Sequence, residues 1–220
     1  ATGACKYSIY LCDVTDALVE RCNITSTSDG VHVTGPASRV TVRDISGATD
    51  DDLVSFTGRD YPNYELTSGG GDVTDVSVER LRFLGSGTAN ILKLVPGAAK
   101  TLSGVVARDL TGSPSGFAVS ILSDTNQAST TGGAVRGVLI DGLRGNPPEL
   151  VDVAHPDVSG LTIRNVTVTG TTNTRAVSIN QSGTCVADVV IKGVTTVSGY
   201  TGNVSDRGPG APAPREKLGH

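Results

Sequence analysis

Apolar and polar residues alternate along this chain in short runs bounded by Gly, Asn and Asp, a pattern that predicts many half-buried β-strands. The runs belong to a repeat. Val14-Thr-Asp-Ala-Leu-Val19-Glu-Arg21 matches Val73-Thr-Asp-Val-Ser-Val78-Glu-Arg80 at six of eight positions. Weaker copies start at Ala37, Leu102, Val135, Val158 and Val186. They set seven apolar anchors, Val19, Val42, Val78, Ala107, Ile140, Ile163 and Ile191, separated by 23, 36, 29, 33, 23 and 28 residues.

A second alternation follows each of the first six anchors: Val31-His32-Val33, Val54-Ser55-Phe56, Leu92-Lys93-Leu94, Val119-Ser120-Ile121, Val151-Asp152-Val153 and Val177-Ser178-Ile179. From anchor to the end of this strand the distance is 13 to 16 residues, whereas the way back to the next anchor takes 9 to 22. One side of each repeat is thus nearly constant and the other variable. Strand-rich repeats of this length predict an all-β solenoid, a right-handed parallel β-helix of about seven coils. The competing reading is an antiparallel β-sandwich, which has no reason to keep a V-T-D-x-x-V-E-R repeat. In the solenoid the flanking apolar residues point into a stacked core. The middle residues, His32, Ser55, Lys93, Ser120, Asp152 and Ser178, form one outward ladder.

Ile9-Tyr10-Leu11 reads as one more second strand without a first strand before it, so the chain is expected to start in mid-coil. Residues 1–207 form the solenoid. Residues 208–220, rich in Pro and Gly, read as a tail or linker.

Composition agrees with this. Gly accounts for 28 of 220 residues, Met and Trp are absent, and Val, Thr and Ser are abundant, which favours strands and tight turns over helices. A net charge of −4 gives no basic footprint for nucleic acid or anionic membranes. No apolar run reaches the roughly 18 residues of a spanning helix. Residues 1–6 lack a basic start and an apolar core, so no signal peptide is read. Cys5, Cys12, Cys22 and Cys185 show no zinc spacing. Cys12 and Cys22 are close enough to pair, but read better as small buried residues.

The acids carry the candidate chemistry. Asp29 lies two residues before Val31, and Asp52 lies two residues before Val54, with Asp51 beside it. Stacking places the two turns about one strand spacing apart. Crowded carboxylates push one another's pKa up, so one holds a proton beside an ionised neighbour, as glycoside hydrolysis requires. Asp also favours turns for local hydrogen bonding, which is the structural alternative.

The run S-D-G-V-H-V, followed by D-D-L-V-S-F with Asp51 22 residues after Asp29, resembles the polygalacturonase-like glycoside hydrolases of the pectin-lyase-like superfamily. The resemblance is specific over residues 28–56. It implies a right-handed β-helix, Asp51 as general acid, Asp29 and Asp52 as the pair that activates water, and cleavage with inversion. Two family features are missing. The G-H-G turn falls at Ala89-Asn90-Ile91, and the R-I-K strand that binds uronate falls at Ser120-Ile121-Leu122. His32 and Lys93 are the candidate replacements, and galacturonate specificity is not supported. On the longest variable connection, residues 57–72, Arg59, Tyr61 and Tyr64 offer a sugar-binding surface. His155 reads as a turn residue.

The expected partner is a bacterial or plant polysaccharide, and no cofactor is required. Two alternatives stay open. One is a lyase that holds Ca²⁺ on the clustered Asp residues. The other is a non-catalytic glycan-binding domain like those of phage tailspikes, which implies a homotrimer and an extracellular or virion location.

Overall fold

The computed structural model describes residues 6–60, 70–86, 90–97, 99–122, 133–155, 157–171, 175–179, 186–201 and 203–207. Among them there is no helix, and therefore none that could cross a membrane. In chain order the strands are β1 (Tyr7–Thr15), β2 (Leu18–Ser26), β3 (Asp29–Thr49), β4 (Val54–Thr57), β5 (Val73–Phe83), β6 (Leu92–Val95), β7 (Thr101–Thr111) and β8 (Phe117–Ile121). They continue as β9 (Ala134–Gly145), β10 (Glu149–Val153), β11 (Val158–Val168), β12 (Arg175–Ile179), β13 (Val186–Ala187), β14 (Val190–Thr195) and β15 (Asn203–Arg207).

Every strand pairing is parallel, which removes the antiparallel sandwich. Strands β5, β7, β9, β11 and β13 stack in one direction from β3, and β4, β6, β8, β10, β12 and β15 stack in the other. Chain-successive strands thus alternate between two stacks, so the chain winds round an axis, as in a parallel β-helix. The seven anchors form one unbroken ladder from Val19 through Val42, Val78, Ala107, Ile140 and Ile163 to Ile191. Val42 through Ile163 are fully buried, Val19 nearly so, and Ile191 is half-buried. Ile9-Tyr10-Leu11 pairs with Val31-His32-Val33, as its pattern predicts. Cys12 and Cys22 are free, half-buried thiols, and Cys22 packs against the core. Cys5, Cys185 and residues 208–220 lie outside the described residues.

The third and eighth positions of the repeat have a backbone cause. Asp16, Arg39, Asp75, Gly104, Gly137, Gly160 and Asp188 all have φ between 52° and 68°. Five residues on, Arg21, Asp44, Arg80, Asp109, Gly142, Asn165 and Gly193 have φ between 52° and 82°. Each coil therefore bends twice through a left-handed residue, once on each side of the anchor strand. Gly, Asn and Asp tolerate this conformation best. Where Arg occupies it, the side chain is paired with an acid: Arg39 Nε lies 2.6 Å from Asp16 Oδ1 and Arg80 Nε 2.6 Å from Asp44 Oδ1, each one rung away, and Arg21 pairs with the adjacent Glu20.

The predicted outward ladder exists in register, running His32, Ser55, Lys93, Ser120, Asp152, Ser178. It is not an exposed face, however. All of its members except Lys93 are buried. Around His32 the reason is visible, because the Tyr7 ring stacks on the imidazole at 4.1 Å and Asp60 closes over its far side.

Candidate functional site

Beside that ladder runs a second column. Tyr7 pairs with Asp29. Gly30 N–H donates to Asp52 O at 2.8 Å, and Leu53 N–H donates to Asn90 O at 2.9 Å. Tyr7, Asp29, Asp52 and Asn90 therefore occupy successive rungs, each two residues before a strand alternation. Gly30 is required here, since a Cβ would sit 2.5 Å from Leu53 O. The Thr49 hydroxyl donates to Asp51 O at 2.6 Å and holds the acidic turn.

The three predicted carboxylates do meet: oxygens of Asp29, Asp51 and Asp52 lie within 4.8 Å of one another. Asp29 and Asp52 are 3% and 1% exposed, whereas Asp51 is half-buried and can reach a ligand. Burial pushes the Asp51 carboxyl up, and neighbouring Asp29 adds to the rise. Burial likewise drives Asp52 up to about 6, against the opposing pull of Lys93. Lys93 Nζ stands 3.2 Å from Asp52 Oδ2 as an ion pair, with its side chain 19% exposed. One oxygen of each buried acid, Asp29 Oδ1 and Asp52 Oδ2, has no hydrogen bond.

His32 and Lys93 both join the cluster, as expected of them. His32 Nδ1 lies 2.7 Å from Asp29 Oδ2. Its Nε2 lies 3.2 Å from Thr57 Oγ1 and 3.7 Å from Asp60 Oδ2. Arg59 is half-buried next to Asp60, and Tyr61 and Tyr64 lie outside the described residues. His155 is a buried turn residue whose Nδ1 accepts the Asp157 N–H at 3.0 Å; burial lowers its pKa.

Four residues of the site escaped the sequence reading. Asn90, in the turn where the family's His was expected, donates from Nδ2 to Asp52 Oδ1 at 2.6 Å, while its own Oδ1 accepts the Phe117 N–H at 2.9 Å. Tyr7 donates its hydroxyl to Asp60, 2.6 and 2.8 Å from the two carboxylate oxygens. Burial and that carboxylate push the Tyr7 pKa far up. Both Asn90 and Tyr7 share the offset that identified Asp29 and Asp52, and so were findable. Thr57 at the end of β4 and the fully buried Asp60 beyond it lie outside the alternation and carried no such signal.

Three carboxylates can accept a cation, but Ca²⁺ takes six to eight oxygens, and the Lys93 ammonium already supplies countercharge at Asp52. Comparisons of the chain with protein-family models, with curated proteins and with solved structures found no match.

Proposed function

We propose that this chain is a carbohydrate-active, right-handed parallel β-helix of about seven coils that binds a polysaccharide and hydrolyses it by acid/base chemistry. The convergence of Asp29, Asp51 and Asp52 within 4.8 Å, on neighbouring turns, is the observation that carries the reading. Asp51 is the general acid, because it alone of the three is reachable and its carboxyl is held up by burial and by Asp29. It protonates the leaving oxygen. Asp29 and Asp52 hold the attacking water. One water making two hydrogen bonds of about 2.75 Å spans acceptors up to 4.8 Å apart at an angle of about 120°. Asp29 Oδ1 has no hydrogen-bond donor of its own, while Asp52 Oδ2 faces the Lys93 ammonium at 3.2 Å.

The resemblance implies inversion, whereas the carboxylates stand closer than the roughly 6.5–9.5 Å usual for inverting pairs. Inversion is still the expected outcome, since Asp29 and Asp52 are too buried to attack a sugar carbon themselves. The substrate is a neutral glycan rather than a polyuronate. Acids outnumber bases on this face, and Lys93 and Arg175 are already paired with Asp52 and Glu149.

A panel of bacterial capsular and plant cell-wall glycans, assayed for new reducing ends with and without chelator, tests this. Hydrolysis indifferent to chelator, lost in Asp51→Asn with binding retained, is expected. Unsaturated, chelator-sensitive products would establish the lyase instead. Binding without any product would establish the tailspike-like binder, for which trimeric assembly is the accompanying expectation.

A further inference from the structure

Behind the carboxylate cluster lies a buried polar chain that the acid/base reading does not use. Thr34 Oγ1 and Thr57 Oγ1 are 3.0 Å apart, Thr57 Oγ1 is 3.2 Å from His32 Nε2, and His32 Nδ1 is 2.7 Å from Asp29 Oδ2. Asp60 lies 3.7 Å from the same Nε2 and is itself fixed by the Tyr7 hydroxyl. All six residues are buried. A carboxylate accepts only, so Nδ1 donates to Asp29. In the neutral ring Nε2 then accepts, and Thr57 donates to it while accepting from Thr34. The donors thus run in one direction, from Thr34 to Asp29.

We propose that Thr57 and Asp60 are positioning residues of this site, acting on Asp29 through His32. Asp29 selects the ring nitrogen that carries the hydrogen, and Thr57, donating to the other nitrogen, holds the ring in that tautomer. Asp60 and the stacked Tyr7 ring, 4.1 Å away, set the ring's plane. The imidazole then holds one oxygen of Asp29 and leaves the other without a hydrogen bond, in a carboxylate that lies within reach of Asp51 and Asp52. The order hydroxyl, imidazole, carboxylate is also that of a nucleophilic triad. Thr57 is not such a nucleophile, because it is 3% exposed and its oxygen is tied to Thr34. What the positioning is for rests on the hydrolase reading; the positioning itself does not.

The test needs no substrate. In proton NMR of the whole chain, the His32 Nδ1–H should give a downfield, slowly exchanging resonance, assigned by its loss in His32→Gln. Thr57→Val and Asp60→Asn should each move that resonance or speed its exchange, and shift the Asp29 Cγ signal. Thr57→Ser should restore it, and Tyr7→Phe should shift it while keeping the ring stack. Thr57→Val and Asp60→Asn spectra that superimpose on the wild type at Nδ1–H and Asp29 Cγ would overturn the proposal, as would absence of the resonance from the wild type. If the NMR outcome holds but no glycan is cleaved, the hydrolase reading fails and this one stands.

Discussion

Asp52→Asn should stabilise the protein at neutral pH, and by an amount that depends on pH in a defined way. The Asp52 carboxyl rises from its ordinary 3.8 to about 6 in the folded chain, with burial as the leading cause. A folded-state pKa above the unfolded value means that the native state favours the protonated form. That advantage is complete below about 3.8 and is lost as pH rises through about 6. At about 1.4 kcal/mol per pH unit, ionised Asp52 costs the fold about 3 kcal/mol at pH 8. Asparagine removes that charge and still accepts the Asn90 amide, which lies 2.6 Å from Asp52 Oδ1. Lys93 loses its partner but keeps partial access to water. For a domain of this size about 3 kcal/mol corresponds to a Tm increase of roughly 6–12 °C. The quantity to measure is the Tm difference between variant and wild type from pH 4 to pH 8. His155, whose lowered pKa works in the opposite direction, is common to both proteins and cancels. The difference should be largest at pH 8 and vanish toward pH 4. A variant no more stable at pH 8, or a difference that ignores pH, would refute the burial argument and with it the proton-sharing cluster.

Asp152 is likewise driven up to about 6, by burial and then by Glu149, so Asp152→Asn should raise Tm at pH 8 with the same fade toward pH 4, read in the same melts. Gly137→Ala places a Cβ in ordinary van der Waals contact, 3.9 Å from Gly104 N, at φ 62°, so its cost is the backbone conformation alone, about 1–2 kcal/mol by urea denaturation. Asn90→Ala strips Asp52 Oδ1 of its amide donor, and a loss of about 1–3 kcal/mol at pH 8 is expected in the same denaturation. The anomer first released from a cleaved glycan, followed by proton NMR, should be the inverted one; retention would mean that a carboxylate, not water, attacks.

The fold was legible because its periodicity is carried by chemistry that cannot be exchanged freely. An inward position needs an apolar side chain, and a left-handed bend needs Gly, Asn, Asp or a paired Arg. V-T-D-x-x-V-E-R records both constraints at once, with Asp75 at φ 56° and Arg80 at φ 52° flanking the buried Val78. The spacing of the anchors therefore carries the observed register. The outward ladder failed for the complementary reason. Alternation identifies which residues leave the core, but not what lies over them. Only distant contacts, such as Tyr7 to Asp60 across 53 residues, cover His32.

The same limit explains which half of the site could be read. Asp29, Asp52 and Asn90 share an offset from consecutive strands, so a solenoid necessarily stacks them, and the spacing alone brings the carboxylates together. Thr57 ends β4 in register with Thr34 but outside the alternation, and Asp60 belongs to the segment that follows β4, where the connection is variable in length and no offset repeats. The role of Asp60 depends on how that segment folds back over His32. In a solenoid, then, the constant side of each coil can be read for side chains that stack into one cluster. What closes over those groups from the variable side, here Asp60, requires coordinates. Here the division is sharp. The three acids come from the stacked turns, and of the residues that hold Asp29 in place, only His32 lies on a repeat position of its own rung, while Asp60 reaches it from outside the repeat.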